Sequence, residues 1–314
     1  MTAPHPGTRP HEWVRPGPDG SPLWGHRDGM RVGLPPLLGP RGLLRVYTPY
    51  LGHDPDRMVN YVAIEPRPRR SVRRGYSELE RSRLDDEPGL RLWTGEPGPG
   101  HDPGVVEVVA GVECLTVLVH CERFAGGAEV DVRVRFRADR PHEVELAAVT
   151  RPGSVPLRHC VLSATMGNFA RLRTLRLLDG PVRAGELWPR HRSSRFTRRA
   201  RFGLHRLPRD VEGAAVVTVL GDEPAPEQAA YAADVAPHWH WYGRRAEQSW
   251  VVPDPSRHLV AAVNGRVVYW ASRSPIPGGI AFENVEVIEP YRPLRPLRFR
   301  VEPCDPAPHG DRLS

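Results

Sequence analysis

Arg133, Arg135 and Arg137 occupy every second position of the run Val130-Asp-Val-Arg-Val-Arg-Phe-Arg137. In an extended strand all three guanidinium groups leave the same face. His120 lies in the apolar run just upstream, Cys114 to Phe124, and would stand beside them if the two runs pair. A planar guanidinium matches a carboxylate bidentately, so such a face suits an anionic ligand. Neutralising a carboxylate acidifies the neighbouring C–H bond, and an elimination at that bond then needs one base and one acid. The alternative is the solvated outer face of an antiparallel sheet.

A second group is His238-Trp239-His240-Trp241-Tyr242. If extended, the histidines share one face and the tryptophans the other. Exposed Trp239 and Trp241 could stack on a ring, with His240 as acid or base. Two histidines at this spacing could also ligate a metal, but no third ligand accompanies them, and no metal or cofactor is expected. A third group, His53-Asp54 with Tyr61, Glu78 and Glu80, offers proton carriers. Glu78 and Glu80 stand too close in sequence to flank a substrate between them, so Glu283 or another distant carboxylate would have to complete a hydrolytic pair. A fourth is Asn168 with Arg171, following Met166-Gly167. Nothing matches a P-loop, a dinucleotide fingerprint, a nucleophile elbow or HExxH.

These residues need elements to hold them, and the period along most of the chain is two. The runs 114–124 and 130–137, linked by Ala125-Gly-Gly-Ala128, predict a hairpin. Further strands are predicted at 43–51, 57–65, 105–110, 143–150, 157–164, 214–220, 258–264, 266–272, 280–289 and 297–302. Asn264-Gly265 is expected to turn a hairpin between Leu259–Val263 and Val267–Ala271. Helix-compatible windows are 77–84 and 225–233, with 165–178 ambiguous, and the 36 prolines disfavour long helices. The arginine-rich stretches 67–74 and 179–213 read as long loops able to wall a site. Many short strands without alternating helices predict an all-β fold, an antiparallel two-sheet jelly-roll β-sandwich with few short helices. It is expected to span 21–303 between disordered tails at 1–20 and 304–314.

Composition sets further bounds. A hydrophobic fraction of 39% in 314 residues suffices for a sizeable core, and the net charge is +7. Every one of the 44 basic residues is arginine. Nucleic-acid surfaces usually mix lysine with arginine, so the charge reads as GC-rich codon usage more than as a nucleic-acid surface. With a mean hydropathy of -0.45 and no long apolar run, no spanning helix and no membrane partner are expected. Cys114, Cys121, Cys160 and Cys304 lack zinc or CxxC spacing, and Cys114 and Cys121 read as buried small hydrophobes. The first residues lack the pattern of a secretory signal, so the expected location is cytoplasmic, or secreted if a leader was removed.

The block Asn264 to Ser272, followed by Pro275-Ile-Pro-Gly-Gly-Ile-Ala-Phe-Glu-Asn284, resembles the closing strands of concanavalin A-like, jelly-roll carbohydrate-active proteins. Tyr50-Leu-Gly-His53, Gly75 to Glu80 and Ala164 to Arg171 are similar to pieces of uncharacterised bacterial proteins of that kind. The resemblance implies the sandwich more firmly than an activity, since the paired-glutamate strand of the glucanases is missing. Two readings follow. One is a polysaccharide lyase or glycoside hydrolase for an acidic or complex glycan. In it His53, Tyr61 and His240 move protons, and His120, Arg133, Arg135, Arg137, Trp239 and Trp241 bind substrate. The other is a non-catalytic carbohydrate-binding sandwich. A basic nucleic-acid binder ranks last, without a recognition helix or RNA motif.

Overall fold

The computed structural model describes residues 11–17, 20–54, 57–96, 100–165, 167–221 and 229–304. These residues form two large antiparallel sheets, stacked as a β-sandwich. The first sheet contains β1 (Trp13–Val14), β2 (Leu23–His26), β3 (Arg31–Gly33), β4 (Leu43–Tyr47), β5 (Met58–Pro68), β11 (Leu157–Thr165), β14 (Ala200–Gly203), β17 (Val260–Arg266) and β18 (Ala281–Ile288). Their order across the sheet is β1-β2-β3-β4-β5-β11-β18-β17-β14. The second contains β6 (Leu92–Thr94), β7 (Val105–Val109), β8 (Val112–Cys121), β9 (Val130–Arg137), β10 (Glu143–Thr150), β12 (Leu172–Leu175), β13 (Val182–Arg183), β15 (Ala215–Gly221), β16 (Ala246–Val252) and β19 (Leu297–Pro303). Its order is β13-β12-β15-β16-β19-β10-β9-β8-β6, with β7 also paired to β8.

The alternation in β9 does what the sequence predicts. Val130, Val132, Val134 and Phe136 enter the core between the sheets, and β9 pairs β8 with Cys114 opposite Arg137. The first sheet is different, because both of its faces are covered. Leu44, Val46, Val62 and Ile64 face the second sheet. Leu43, Tyr47, Met58, Tyr61 and Ala63 face the other way, into a second apolar cluster with Phe169, Val235, Trp239, Tyr269 and Ile276 from loops. A strand buried on both faces reads as a continuous apolar run, which is why 43–47 and 58–64 show little alternation.

Several sequence expectations are corrected. The Asn264-Gly265 pair is no turn: β17 runs straight through it and pairs β18, with a bulge between Val263 and Gly265. The Asn264 side chain accepts from the Asn284 amide at 3.0 Å, and Gly265 N–H donates to the Thr197 hydroxyl at 2.9 Å. Both residues are therefore used in pairing, and 267–271 forms no strand. Neither 77–84 nor 229–233 is helical, residues 225–228 lie outside the described residues, and 172–175 of the ambiguous window is β12. The one α-helix among the described residues, α1, is the single turn Ala184–Leu187. Residues 246–252 form a strand that the sequence pattern does not announce. The fold also takes in Trp13–Val14, inside the stretch expected to be a tail, where the Trp13 indole donates to Glu113 at 2.6 Å.

Gly265 shows how tightly this corner is closed. A Cβ there would stand 2.7 Å from the Ala281 carbonyl oxygen and 3.2 Å from both Ile280 and the Trp188 ring. Gly265→Ala should therefore lose about 1–3 kcal/mol, the usual cost of overpacking. Urea unfolding with an unchanged m-value checks it, and a stability equal to the parent's would refute the close approach.

Candidate functional site

The arginines of β9 share one face, and each meets a carboxylate. Arg133 meets Glu145 at 3.1 Å, Arg135 meets Glu107 at 3.2 Å and donates to the Thr116 hydroxyl, and Arg137 meets Asp139 at 2.9 Å. His120 lies 3.1 Å from Asp131, which also takes Arg151 at 2.9 Å. Each cation already holds a carboxylate, so the face is an ion-paired outer surface of the second sheet and leaves no open row of anion receptors.

The aromatic segment is likewise corrected. Pro237–Trp239 is a 3-10 turn, so the expected alternation does not form. Trp239 and Trp241 are buried rather than exposed. Trp239 stacks on Phe169 at 5.0 Å and meets Tyr61 edge-on, while Trp241 meets His53 edge-on at 4.8 Å. His240 stacks on Tyr231 at 4.3 Å, and its ring nitrogens face the Tyr242 hydroxyl and the Val235 carbonyl at 2.8 and 2.9 Å. His53 is buried, and desolvation pulls its pKa down to about 4. Tyr61 is buried, and desolvation pushes its hydroxyl well above the usual range. Of the three residues expected to move protons, His53 and Tyr61 are therefore buried against Trp241 and Trp239, and His240 is half-buried against Tyr231. Arg171, from the fourth group, donates to the Tyr269 hydroxyl at 2.7 Å and lies over the Tyr231 ring.

The outer face of the first sheet holds most of the unexpected chemistry. Glu286 is 0% exposed and receives Arg74 at 2.9 Å and Arg199 at 2.7 Å. Arg74 also grips Glu65. Burial and the neighbouring Glu286 charge push the Glu65 carboxyl up, and burial does the same for Glu78. Ser77 fastens the same loop, donating to the Gly42 carbonyl and accepting the Ile64 amide at 2.9 Å. Glu283 stands apart. It is 1% exposed, one carboxylate oxygen has no hydrogen-bond partner among the described residues, and desolvation raises its pKa to about 8. Arg266 offsets this in part, but its guanidinium is turned over the Phe196 and Trp270 rings at 5.0 and 5.2 Å.

Beside this covered face the surface opens into a cleft of about 820 Å³, between 183–192 and 267–280. Apolar walls come from Val267, Ile276 and Ile280, with Trp188, which packs edge-on against Phe282 at 6.2 Å, and His191. Gly278 and Gly279 turn with φ of 79° and 96°, a left-handed path open to glycine; both are exposed, and the Gly279 N–H donates to the Ile276 carbonyl at 3.0 Å. Arg183 and Arg192 line the mouth, and neither has a carboxylate partner among the described residues. Glu186 is the one acidic residue of the lining, and it accepts the Arg183 amide at 2.9 Å. Half of this cleft comes from the 179–213 stretch that the sequence marks as able to wall a site. Trp188 carries no periodic or motif signal, so nothing in the sequence singles it out.

Among the described residues, no group of three or more His, Cys, Asp or Glu is arranged to hold a metal ion, and no helix is long and apolar enough to cross a membrane. No family model and no curated protein matches the chain. Of solved structures, one titled "Crystal Structure Analysis of HI1317" aligns over 93% of this chain and 99% of its own, at 9% identity and a TM-score of 0.24. Agreement at that level transfers neither fold nor function.

The covered face can be tested at two of its charges. Arg74→Met leaves two buried carboxylates short of a cation and should cost about 3–5 kcal/mol, read from denaturant midpoints. Glu283 is protonated more readily folded than unfolded, since its pKa rises from 4.5 to about 8. Its penalty is therefore absent below about pH 4.5 and grows as pH rises towards 8, a tenfold change in proton affinity being worth about 1.4 kcal/mol. Glu283→Gln should gain on the parent by more than about 1 kcal/mol as pH rises from 4.5 to 8. A difference that stays flat with pH would contradict it.

Proposed function

We propose that this chain binds an acidic saccharide in the cleft beside Trp188, and that binding rather than turnover is its role. The observation that carries the reading is the composition of that cleft. It combines an aromatic ring, a wall of apolar side chains, exposed glycine backbone and two arginines without carboxylate partners among the described residues. Aromatic side chains supply a broad apolar face with specific geometry, which suits the C–H face of a sugar ring. Arginine forks supply paired hydrogen bonds to a carboxylate. Exposed main-chain groups can meet hydroxyls.

An eliminating or hydrolysing enzyme for the same ligands is the second reading. It requires a positioned acid and base within hydrogen-bond reach of the reacting atoms. Among the described residues of the cleft, only His191 and Glu186 are of suitable type. The ring Nε2 of His191 faces the Arg195 carbonyl at 3.0 Å, and Glu186 is held by the Arg183 amide. Groups committed to structure in this way favour recognition over proton transfer.

Calorimetric titration with a panel of uronate-containing and neutral oligosaccharides separates the readings. Uronate ligands should bind, and neutral counterparts should bind at least ~10-fold more weakly. Trp188→Ala or Arg192→Gln should each lower affinity about 10-fold, the order of one charge-assisted contact. New unsaturated-sugar absorbance or reducing ends would promote the enzyme reading. Silence across the whole panel would dispose of both.

A further inference from the structure

A second opening, of about 570 Å³, lies where β14 meets the turns 204–209 and 257–260, at the edge of the first sheet. Its origin is local. Gly203 pairs Val260 at the end of β14, and a 3-10 turn, Leu204–Arg206, then bends the chain back so that Leu178 N–H donates to the Arg206 carbonyl at 2.9 Å. This leaves the half-buried Leu204 and Val260 as a floor, backed by the buried Leu207 and Leu259, with Leu178, 64% exposed, as an apolar lip. The rim is basic: Arg209, Arg257, His205 and His258 line it, and among the described residues no carboxylate does.

The nearby carboxylates are already engaged elsewhere. Asp179 holds Arg206 at 2.6 Å and Asp210 meets Arg298 at 3.4 Å. Among the described residues, Arg209 donates to the Gly213 carbonyl and Arg257 to the His258 ring nitrogen at 3.1 Å, and neither meets a carboxylate. Two exposed guanidinium groups therefore stand over an apolar floor. Unlike the cleft beside Trp188, this one is lined, among the described residues, by no Trp, Tyr or Phe and by no Gly-Gly turn. A sugar has little to gain here, whereas a molecule with a hydrocarbon body and one anionic end satisfies both parts.

We infer that this cleft is a binding site for an amphipathic carboxylate, a medium-chain acyl or aryl acid. The hydrocarbon lies on Leu204 and Val260 with Leu178 beside it. The carboxylate sits between Arg209 and Arg257, where charge-assisted hydrogen bonds replace its water. The cleft is open on one side, so affinity comes from partial apolar burial and two charged contacts.

Titrating the full chain with octanoate by isotope-edited NMR or calorimetry tests this. Octanoate should saturate, while acetate, which lacks the hydrocarbon, and octan-1-ol, which lacks the charge, should each bind at least ~10-fold more weakly. The double variant Arg209→Gln/Arg257→Gln changes only exposed side chains and should weaken octanoate ~10-fold or more. Trp188→Ala should leave octanoate affinity unchanged, which keeps this site separate from the saccharide cleft. Equal binding of octanoate and octanol, or full octanoate affinity in the double variant, would overturn the assignment.

Discussion

The arrangement depends on one carboxylate, Glu286, buried on the outer face of the first sheet and held by two arginines from different loops. Arg74 arrives from the connection after β5 and Arg199 from the residue before β14. Removing a carboxylate from water costs several kcal/mol, and only close partners return that energy. The pair of arginines therefore does more than stabilise. It fixes where the 69–75 and 188–199 loops must lie, because any other placement strands a charge in a dry interior. Once they are placed, Thr197 can accept the Gly265 amide, Trp188 can pack on Phe282, and the cleft beside it acquires a wall.

That constraint explains the legibility of the sequence. The arginines of β9 reach the outer surface of the second sheet, so β9 alternates visibly, and it and its hairpin partner β8 can be placed from the residues alone. The central strands of the first sheet, β4 and β5, are covered on both faces. That sheet's outward positions carry Tyr61, Ser163, Glu283 and Glu286 beneath loops, and nothing in a linear pattern distinguishes a buried glutamate from a solvated one. The same blindness affects Asn264-Gly265, whose turn chemistry is overridden by a bulge that uses both residues for pairing. It affects His238 to Tyr242 too, where Pro237 starts a turn and the tryptophans go inside.

The candidate site is less legible than the fold for a related reason. Arginine supplies all the positive side-chain charge of this chain at neutral pH apart from any charged histidine, so a run of arginines says little until the carboxylates across from it are known. Those in β9 face Glu107, Glu145 and Asp139. Glu145 comes from the neighbouring β10 and Glu107 from β7, one strand beyond β8, so the spacing that makes these arginines conspicuous also lines them up with acidic partners across the sheet. Cross-strand opposite-charge pairs are an ordinary means of sheet stabilisation. Prominence in the sequence here marks structure.

The informative arginines are those at the cleft mouths that meet no carboxylate among the described residues. Arg192, Arg209 and Arg257 lie in loops and Arg183 at the end of a two-residue strand, where few strand neighbours impose a partner. A guanidinium held beside apolar surface keeps its stem packed and its head wet, so such a position is tolerable without a ligand and favourable with one. A net charge of +7 by itself locates none of these cations. These cations stand at two separate concave sites, each with a different apolar lining, and the two anionic ligands proposed above are distinguished by the surface beneath the charge.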